Sequence, residues 1–497
     1  MTQTVTAGST TPAQAAQALP ADLPTGLLIN GEWVAGSTGR TIPVLNPATG
    51  EEIATIADAA PSDAVAALDA ACDAGPAWAA TAPRQRGEIL RRAFDEVTRR
   101  KDDFARLMTI EMGKPLAEAY GEVTYGAEFL RWFSEEAVRI NGRYGSNPEG
   151  TGHMVVSKRP VGPAYLVTPW NFPLAMATRK IGPALAAGCP VIIKPATNTP
   201  LTTLLLAQVM IECGVPAGVV NVITSSSASS ITKPLLADPR LRKLSFTGST
   251  PVGVRLLAEA ANNVLKTSME LGGNAPFLVF EDADIDAAVT GAMTAKFRNI
   301  GQACTAANRF IVHASVADEF VAKVTARVEA MRVGNGLDEG VTIGPLIDAG
   351  AVDSTNELVE DAVSNGASVT AGGSRIDRPG FFYAPTVLRD VQPGTRLLKE
   401  EIFGPVLGVS TFETEDEAVA MANDTEYGLM SYAYTRDLAR GHRLIDSLET
   451  GMMALNTGLV SNAAAPFGGV KASGLGREGS VEGIEEYLET KYTLIPA

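Results

Sequence analysis

This 497-residue sequence predicts a doubly wound α/β fold in two domains. Three observations carry the prediction. From 163 to 272, short β-rich runs alternate with helix-length apolar repeats. The same rhythm resumes at 275 and continues to about 455. The chain is also too long for one small core, which calls for two or three domains.

Taken in order, residues 1–21 carry no charge, are rich in Ala, Thr and Gln, and read as a disordered leader. They lack the basic start and apolar core of a signal peptide. Residues 27–56 read as short strands cut by Gly, Pro and Asn turns. VAALDAACDAGPAW, GEILRRAFDEVTRR and GEVTYGAEFLRWFSEEAVRI then repeat apolar residues at helical steps, giving two or three helices. GRYGSNPEG is a turn-rich break near 145, and HMVVSKRPV after it reads as an extended ribbon. AYLV, PVIIK, VVNVIT and LRKLSF are strands, separated by the helices PLAMATRKIGPALAAG and LTTLLLAQVMIECG, with PVGVRLLAEAAN following the last. A junction near Gly272–Gly273 leads into APFLVF, RFIVH, a helix over 316–332 and MMALN. IEEYLETKYTLIPA ends in an edge strand.

Composition narrows the class. Hydrophobic residues make up 45% and charged residues 20%, ordinary for a soluble enzyme. A net charge of −15 disfavours nucleic acid, and any anionic substrate needs a local cluster of cations. Cys72, Cys189, Cys213 and Cys304 form no C-x-x-C pair, so neither a zinc site nor a dithiol motif is indicated, and no metal is expected. The sparse cysteines fit a reducing compartment, and no apolar run is long enough to span a membrane. The expectation is a cytoplasmic protein.

Two glycine-rich stretches compete as phosphate loops. GLGREG, Gly474 to Gly479, matches G-x-G-x-x-G but has no second strand after it, so a close-packed turn is the better reading. FTGSTPVG, Phe246 to Gly253, follows a strand and precedes an amphipathic helix. Gly248 permits close approach, Ser249 and Thr250 can cap the helix, and its first N–H groups attract phosphate. An ordinary N-cap loop reads equally well on this motif alone.

GQACTAANR, Gly301 to Arg309, sets Cys304 among small residues. An unperturbed thiol is only about 3% thiolate at pH 7. None of His153, His313 and His442 sits in a matching motif, which disfavours a Cys–His hydrolase. Glu270, in MELGGN at the C-terminal end of a strand, is the candidate base, though alone it could be a surface acid.

These residues resemble the aldehyde dehydrogenases, over nearly the whole chain. TPWNFP (168–173), KPATNTP (194–200), FTGSTPVG, ELGGN, GQACTAANR and EEIFGPV (400–406) occur in that family's order, with Glu270 and Cys304 34 residues apart. The resemblance implies a Rossmann-like cofactor domain, in two parts at 22–143 and 162–272, and an α/β catalytic domain at 273–457. It further implies a small β oligomerisation segment from 144–161 and the C-terminal return 458–497, and a homo-oligomer, dimer or tetramer. Cys304 would attack the aldehyde carbon, with Asn171 and the Cys304 N–H holding the oxyanion. Glu270 would activate the water that hydrolyses the thioester. Lys180 and Glu478 match a proton relay, or else form a structural ion pair.

For the cofactor, Lys194 matches the adenosine-ribose ligand and Glu401 the nicotinamide-ribose ligand, with Phe403 beside it. Gly248 and Ser249 would meet the pyrophosphate, and Thr168 and Trp170 join the cofactor side. Thr197 stands where many NAD-preferring relatives have Glu, which points to NADP, with NAD as the alternative. Ala306 replaces a second cysteine found in several relatives, so no switch between neighbouring thiols is expected. SNAAAPFGGVKASGLGREG and TRKIGPALAAGCP resemble the succinate-semialdehyde dehydrogenase subgroup, whose carboxylate grip matches Arg179, Arg298 and Ser461. Glutarate-semialdehyde or broader aliphatic oxidation and a CoA-acylating enzyme are the alternatives, with a thiol esterase or a structural role further off.

Overall fold

The computed structural model describes residues 19–497. Residues 1–18 of the expected leader lie outside the described residues. Its last three residues belong to the folded body: Leu19 packs on the first core and the Pro20 carbonyl accepts the Leu23 N–H.

The first sheet has eight strands, in the order Glu32–Val34, Leu27–Ile29, Val220–Val222, Val191–Lys194, Ala164–Val167, Lys243–Thr247, Lys266–Glu270, Gly474–Leu475. Its middle five strands are parallel and its two edges antiparallel. Of these, Ala164–Val167, Val191–Lys194 and Val220–Val222 are almost wholly buried and rich in Val, Ile and Leu, as a sheet covered on both faces requires. The chain winds outward from Ala164–Val167 in one direction, then returns at Lys243–Thr247 to wind in the other. The switch point therefore falls between these two strands, where open α/β sheets bind ligands.

The second sheet has seven strands, in the order Ser368–Ala371, Thr386–Arg389, Val406–Phe412, Ala307–His313, Ala275–Val279, Met430–Tyr434, Met452–Leu455, parallel except at Ser368–Ala371. The passage from one sheet to the other runs through Leu271–Asn274, at the expected junction. A separate ribbon pairs Arg143–Ser146, Gly152–Pro160 and Leu488–Pro496.

Four expectations change. Four helices, not two or three, precede the ribbon: Pro61–Ala80, Pro83–Arg99, Lys101–Met112 and Leu116–Glu136. Half of the GRYGSNPEG break is the strand Arg143–Ser146, which the ribbon partner recruits despite its glycines. A helix at Ala228–Ala237 lies in the Ser-rich stretch, where Pro234 obscured the periodicity. Ser249 occupies an N-cap position without a side-chain cap bond, and the Thr250 hydroxyl donates instead to the Ala472 carbonyl.

GLGREG begins in the edge strand Gly474–Leu475 and continues as a close-packed turn. Gly474 has φ +125°, and a Cβ there would lie 1.9 Å from the Met269 carbonyl oxygen. No helix among the described residues is long and apolar enough to cross a membrane.

Candidate active site

Five loops meet between the sheets. From the first come 168–171, 248–249 and Glu270, each at the C-terminal end of a parallel strand beside the switch point. From the second come 301–306 and 400–405, which run into the strands Ala307–His313 and Val406–Phe412. They enclose a cleft of about 220 Å³ lined by Trp170, Asn171, Thr247, Gly248, Ser249, Glu270, Cys304, Glu401 and Phe403. Residues that are up to hundreds of positions apart thus share one wall.

The thiol is presented by a strained turn. Helix Ile285–Phe297 ends, and Asn299, Ile300 and Gly301 all take positive φ, +56°, +61° and +72°. Such a run is costly for Asn and Ile and persists only where the surroundings hold it. Here the Asn299 N–H donates to Glu118, and the Gln302 side-chain oxygen accepts the Ile347 N–H at 3.0 Å. At Gly301 only glycine fits, since a Cβ would sit 2.2 Å from the Gly404 carbonyl oxygen. Asn171 Nδ2 donates to the Gln302 carbonyl at 2.9 Å, so the expected oxyanion residue touches the nucleophile loop directly. Burial pushes the Cys304 thiol up to about 12, with Arg179 opposing and Glu401 and Glu270 adding to the shift. The thiol therefore needs a base.

Glu270 is the last residue of its strand and is buried, and neither carboxylate oxygen has a hydrogen-bond partner. Burial, then the nearby Glu478 charge, holds its carboxyl well above the usual range, against Arg179 and Lys180. Lys180 donates to Glu478 at 2.6 Å and to Ser245 at 2.8 Å, and Arg179 pairs with Glu478 from the same helix. The expected Lys180–Glu478 contact exists, enlarged by a second cation.

On the opposite side, Lys194 is buried, and its ammonium donates to the Pro195 carbonyl at 2.9 Å. Burial brings it down to about 8. Thr197 donates to the Ser225 carbonyl at 3.0 Å. Glu401 accepts the Gly273 N–H at 3.1 Å, and burial raises its carboxyl to about 7. Phe403 meets the Trp170 ring edge-on at 5.4 Å, and the Thr168 N–H donates to the Lys194 carbonyl at 3.2 Å. The Thr247 hydroxyl and the Asn171 side-chain oxygen line the same cleft, buried and without partners. Together with the exposed Ser249 hydroxyl at a helix start, these groups fit a polar dinucleotide.

The three residues expected to grip a carboxylate are spread out. Arg179 is buried, with Nη2 free of hydrogen bonds and its guanidinium 4.0 Å from the Phe467 ring centroid. Arg298 caps the helix before the nucleophile turn, half-buried, 5.4 Å from the Phe172 ring centroid. Ser461 lines a different cavity, about 660 Å³, together with Tyr125, Arg131 and Trp132.

Sequence reading missed Tyr125, which joins the two spaces. It borders the Ser461 cavity and packs against the apolar cluster of Phe172, Met176, Ala303 and Ala306 beside Cys304, its buried hydroxyl unpartnered. Missed as well were Lys114, Glu118 and Glu122, behind Asn171 and the nucleophile turn. Two carboxylates one helical turn apart, on a helix whose other face is apolar, were the available signal.

The model of the aldehyde dehydrogenase family matches residues 33–493. The chain is 62% identical over 440 residues to the succinate-semialdehyde dehydrogenase of Paenarthrobacter nicotinovorans, covering 88% of this chain and 98% of that one. It is 52% identical over 464 residues to the glutarate-semialdehyde dehydrogenase of Pseudomonas aeruginosa, covering 93% and 96%. The crystal structure of an E. coli NADP-dependent enzyme superposes with a TM-score of 0.94 at 49% identity, covering 96% and 98%.

Proposed function

The chain belongs to the aldehyde dehydrogenase family, and we propose that it oxidises succinate semialdehyde to succinate with NADP, NAD being a poorer alternative. The observation that carries this reading is the single cleft shared by Cys304, Asn171, the unpartnered Glu270 carboxylate and Glu401. Similarity to a succinate-semialdehyde dehydrogenase and to an NADP-dependent enzyme supports the substrate and the cofactor.

The thiol of Cys304 gives up its proton to solvent in the cleft, and the sulfur bonds to the aldehyde carbon. The carbonyl oxygen takes up the negative charge and is held by Asn171 Nδ2 and the Cys304 N–H. Bound nicotinamide supplies the hydride acceptor that leaves a thioester on Cys304. Glu270 then takes a proton from water, whose oxygen adds to the thioester carbon. Collapse releases the carboxylic acid and restores the sulfur. Glu478, with Lys180 and Arg179 on it, would pass the proton held by Glu270 onward.

Lys194 and Thr197 would hold the adenosine ribose and its 2′-phosphate. Gly248 and Ser249, with Thr168, would hold the pyrophosphate, while Glu401, Phe403 and Trp170 would enclose the nicotinamide ribose and ring. Arg298 would receive the far carboxylate of the substrate, with Arg179 held by Glu478 and Ser461 in the neighbouring cavity that Tyr125 borders. The ribbon strand Leu488–Pro496, with Tyr492, Leu494 and Ile495 exposed, supports assembly into a homo-oligomer through this ribbon.

The test is formation of NADPH and NADH with succinate semialdehyde, glutarate semialdehyde and butanal, each with and without CoA. Fastest NADPH formation with succinate semialdehyde, indifferent to CoA, is the expected result. A requirement for CoA would make the chain an acylating enzyme, and equal rates with butanal would remove the carboxylate grip.

A further inference from the structure

Lys114 is a buried charge that the proposed chemistry does not use. It is 0% exposed, and its ammonium donates to the main-chain carbonyl of Asn171 at 2.9 Å. The same ammonium pairs with Glu122 and lies 4.2 Å from the ring centroid of Phe172, the residue after Asn171. Glu122 in turn accepts the N–H groups of Leu174 at 2.9 Å and Ala175 at 3.2 Å, in the first turn of helix Pro173–Ala187. One ion pair therefore holds the backbone both at Asn171 and just after it.

A second donor reaches the same carbonyl. Asn299 Nδ2 donates to the Asn171 carbonyl at 3.0 Å and to the Gln302 carbonyl at 2.9 Å. The Gln302 carbonyl also accepts the side-chain amide of Asn171. Asn299 itself is held in its left-handed conformation by Glu118, on the same helix as Glu122 and one turn before it. The oxyanion segment and the nucleophile turn are thus clamped together from behind by one helix.

We propose that Lys114, paired with Glu122 and assisted by Asn299, is a positioning residue for acylation. By fixing the peptide of Asn171 from two directions, it keeps the Asn171 amide aimed at the carbonyl oxygen of the aldehyde on Cys304. The inference rests on the proposed role of Asn171 as oxyanion donor. A lysine is suited to this task because a charged donor makes a stronger bond to a carbonyl than a neutral one. A misplacement of about 1 Å in such a donor can cost roughly 100-fold in rate.

The experiment is a pre-steady-state burst of NADPH with succinate semialdehyde, expressed per titratable thiol, alongside the thermal midpoint and cofactor affinity. Lys114→Met alone would leave Glu122 buried without its counter-charge, which is strongly destabilising. The informative variant is therefore Lys114→Met combined with Glu122→Gln, which buries no charge and retains an acceptor for Leu174 and Ala175. Its burst rate should fall roughly 10- to 100-fold with cofactor affinity unchanged. In an Asn171→Ala background the same double change should have no further effect, because it acts only through that residue. Asn299→Gly, which keeps the backbone conformation and removes the second donor, should also slow the burst, and carries the test if the first variant fails to fold. A wild-type burst rate per thiol in a folded variant would overturn the proposal. So would an equal loss in the Asn171→Ala background. If Asn171→Ala itself left the burst unchanged, the oxyanion assignment would fall and this inference with it.

Discussion

Arg179 and Glu478 form an ion pair in the interior, only 1% and 5% exposed, and Lys180 joins it from the next position on the same helix. Both cations are bonded to Glu478, and Glu270 has no hydrogen-bond partner of its own. Burial first, and the Glu478 charge second, favours the neutral form of its carboxyl. A carboxylate whose proton affinity has been raised in this way is a better acceptor for a proton from water.

Glu270→Gln should therefore retain hydride transfer and lose deacylation, giving a stoichiometric burst of reduced cofactor followed by a stall. The absence of a burst would show that Glu270 also activates the Cys304 thiol or shapes the site, and would leave the deacylation role unproven. The same substitution has a stability signature. The folded-state value of Glu270 lies above its ordinary 4.5, so its stabilising contribution is complete below about that pH. It is lost as pH rises through the raised value. The thermal midpoint of Glu270→Gln should gain on wild type as pH rises from about 5 into the alkaline range. A gap independent of pH would show that Glu270 ionises normally.

Cys304→Ala should abolish oxidation while cofactor binding persists. The remaining cysteines lie away from the cleft: Cys189 and Cys213 are buried in the first core, and Cys72 packs on a neighbouring cluster. Turnover above a trace in Cys304→Ala, measured as NADPH formation with succinate semialdehyde, would move the nucleophile elsewhere.

How much of this was legible in the sequence depended on how local each signal was. The strand before Glu270 and the loop around Cys304 were readable because β-rich runs and small-residue turns are short-range patterns. The strand Arg143–Ser146 was not, since a Gly-containing run becomes a strand only when Gly152–Pro160 pairs with it. The role of Ser249 as a cap was misread because its hydroxyl is left free, a fact of tertiary surroundings. Lys114 was passed over altogether. Its partners Glu122 and Asn171 lie 8 and 57 residues away, and nothing local marks a lysine as buried. Motif resemblance supplied the order of the site residues, while the clamp behind them came only from the fold.

Thr197→Glu should shift preference from NADP toward NAD. The 2′-phosphate brings about two negative charges near pH 7. Lys194, brought down to about 8, still carries its charge there for most of the population. Thr197 offers no opposing charge, whereas a glutamate would repel the phosphate and could accept the ribose hydroxyls of NAD. The measurement is the ratio of kcat/KM for the two cofactors. A wild-type enzyme with a large preference for NAD would sink the assignment.

Arg298→Ala should cripple oxidation of succinate semialdehyde and barely affect butanal. Arg298, unlike Arg179, has no ion pair among the described residues. Glu118 lies within electrostatic range of it but is bonded to the Asn299 N–H instead. Arg179, by contrast, already answers Glu478, so less of its charge is available to a substrate. The half-buried guanidinium of Arg298 lies beside Phe172, the neighbour of the oxyanion residue, and offers a planar fork suited to a carboxylate. Helix-dipole attraction at the end of Ile285–Phe297 would explain a cation there but would not make it selective for charged aldehydes. Removing one partner of a buried charged pair costs roughly 2–5 kcal/mol. That is about 30-fold to several thousand-fold in kcat/KM. Arg179→Ala should instead lower activity toward both aldehydes, because it also disturbs Glu478 behind Glu270. An Arg298→Ala enzyme that loses succinate semialdehyde and butanal oxidation in equal measure would place Arg298 in the scaffold of the nucleophile turn, not in the grip on the substrate.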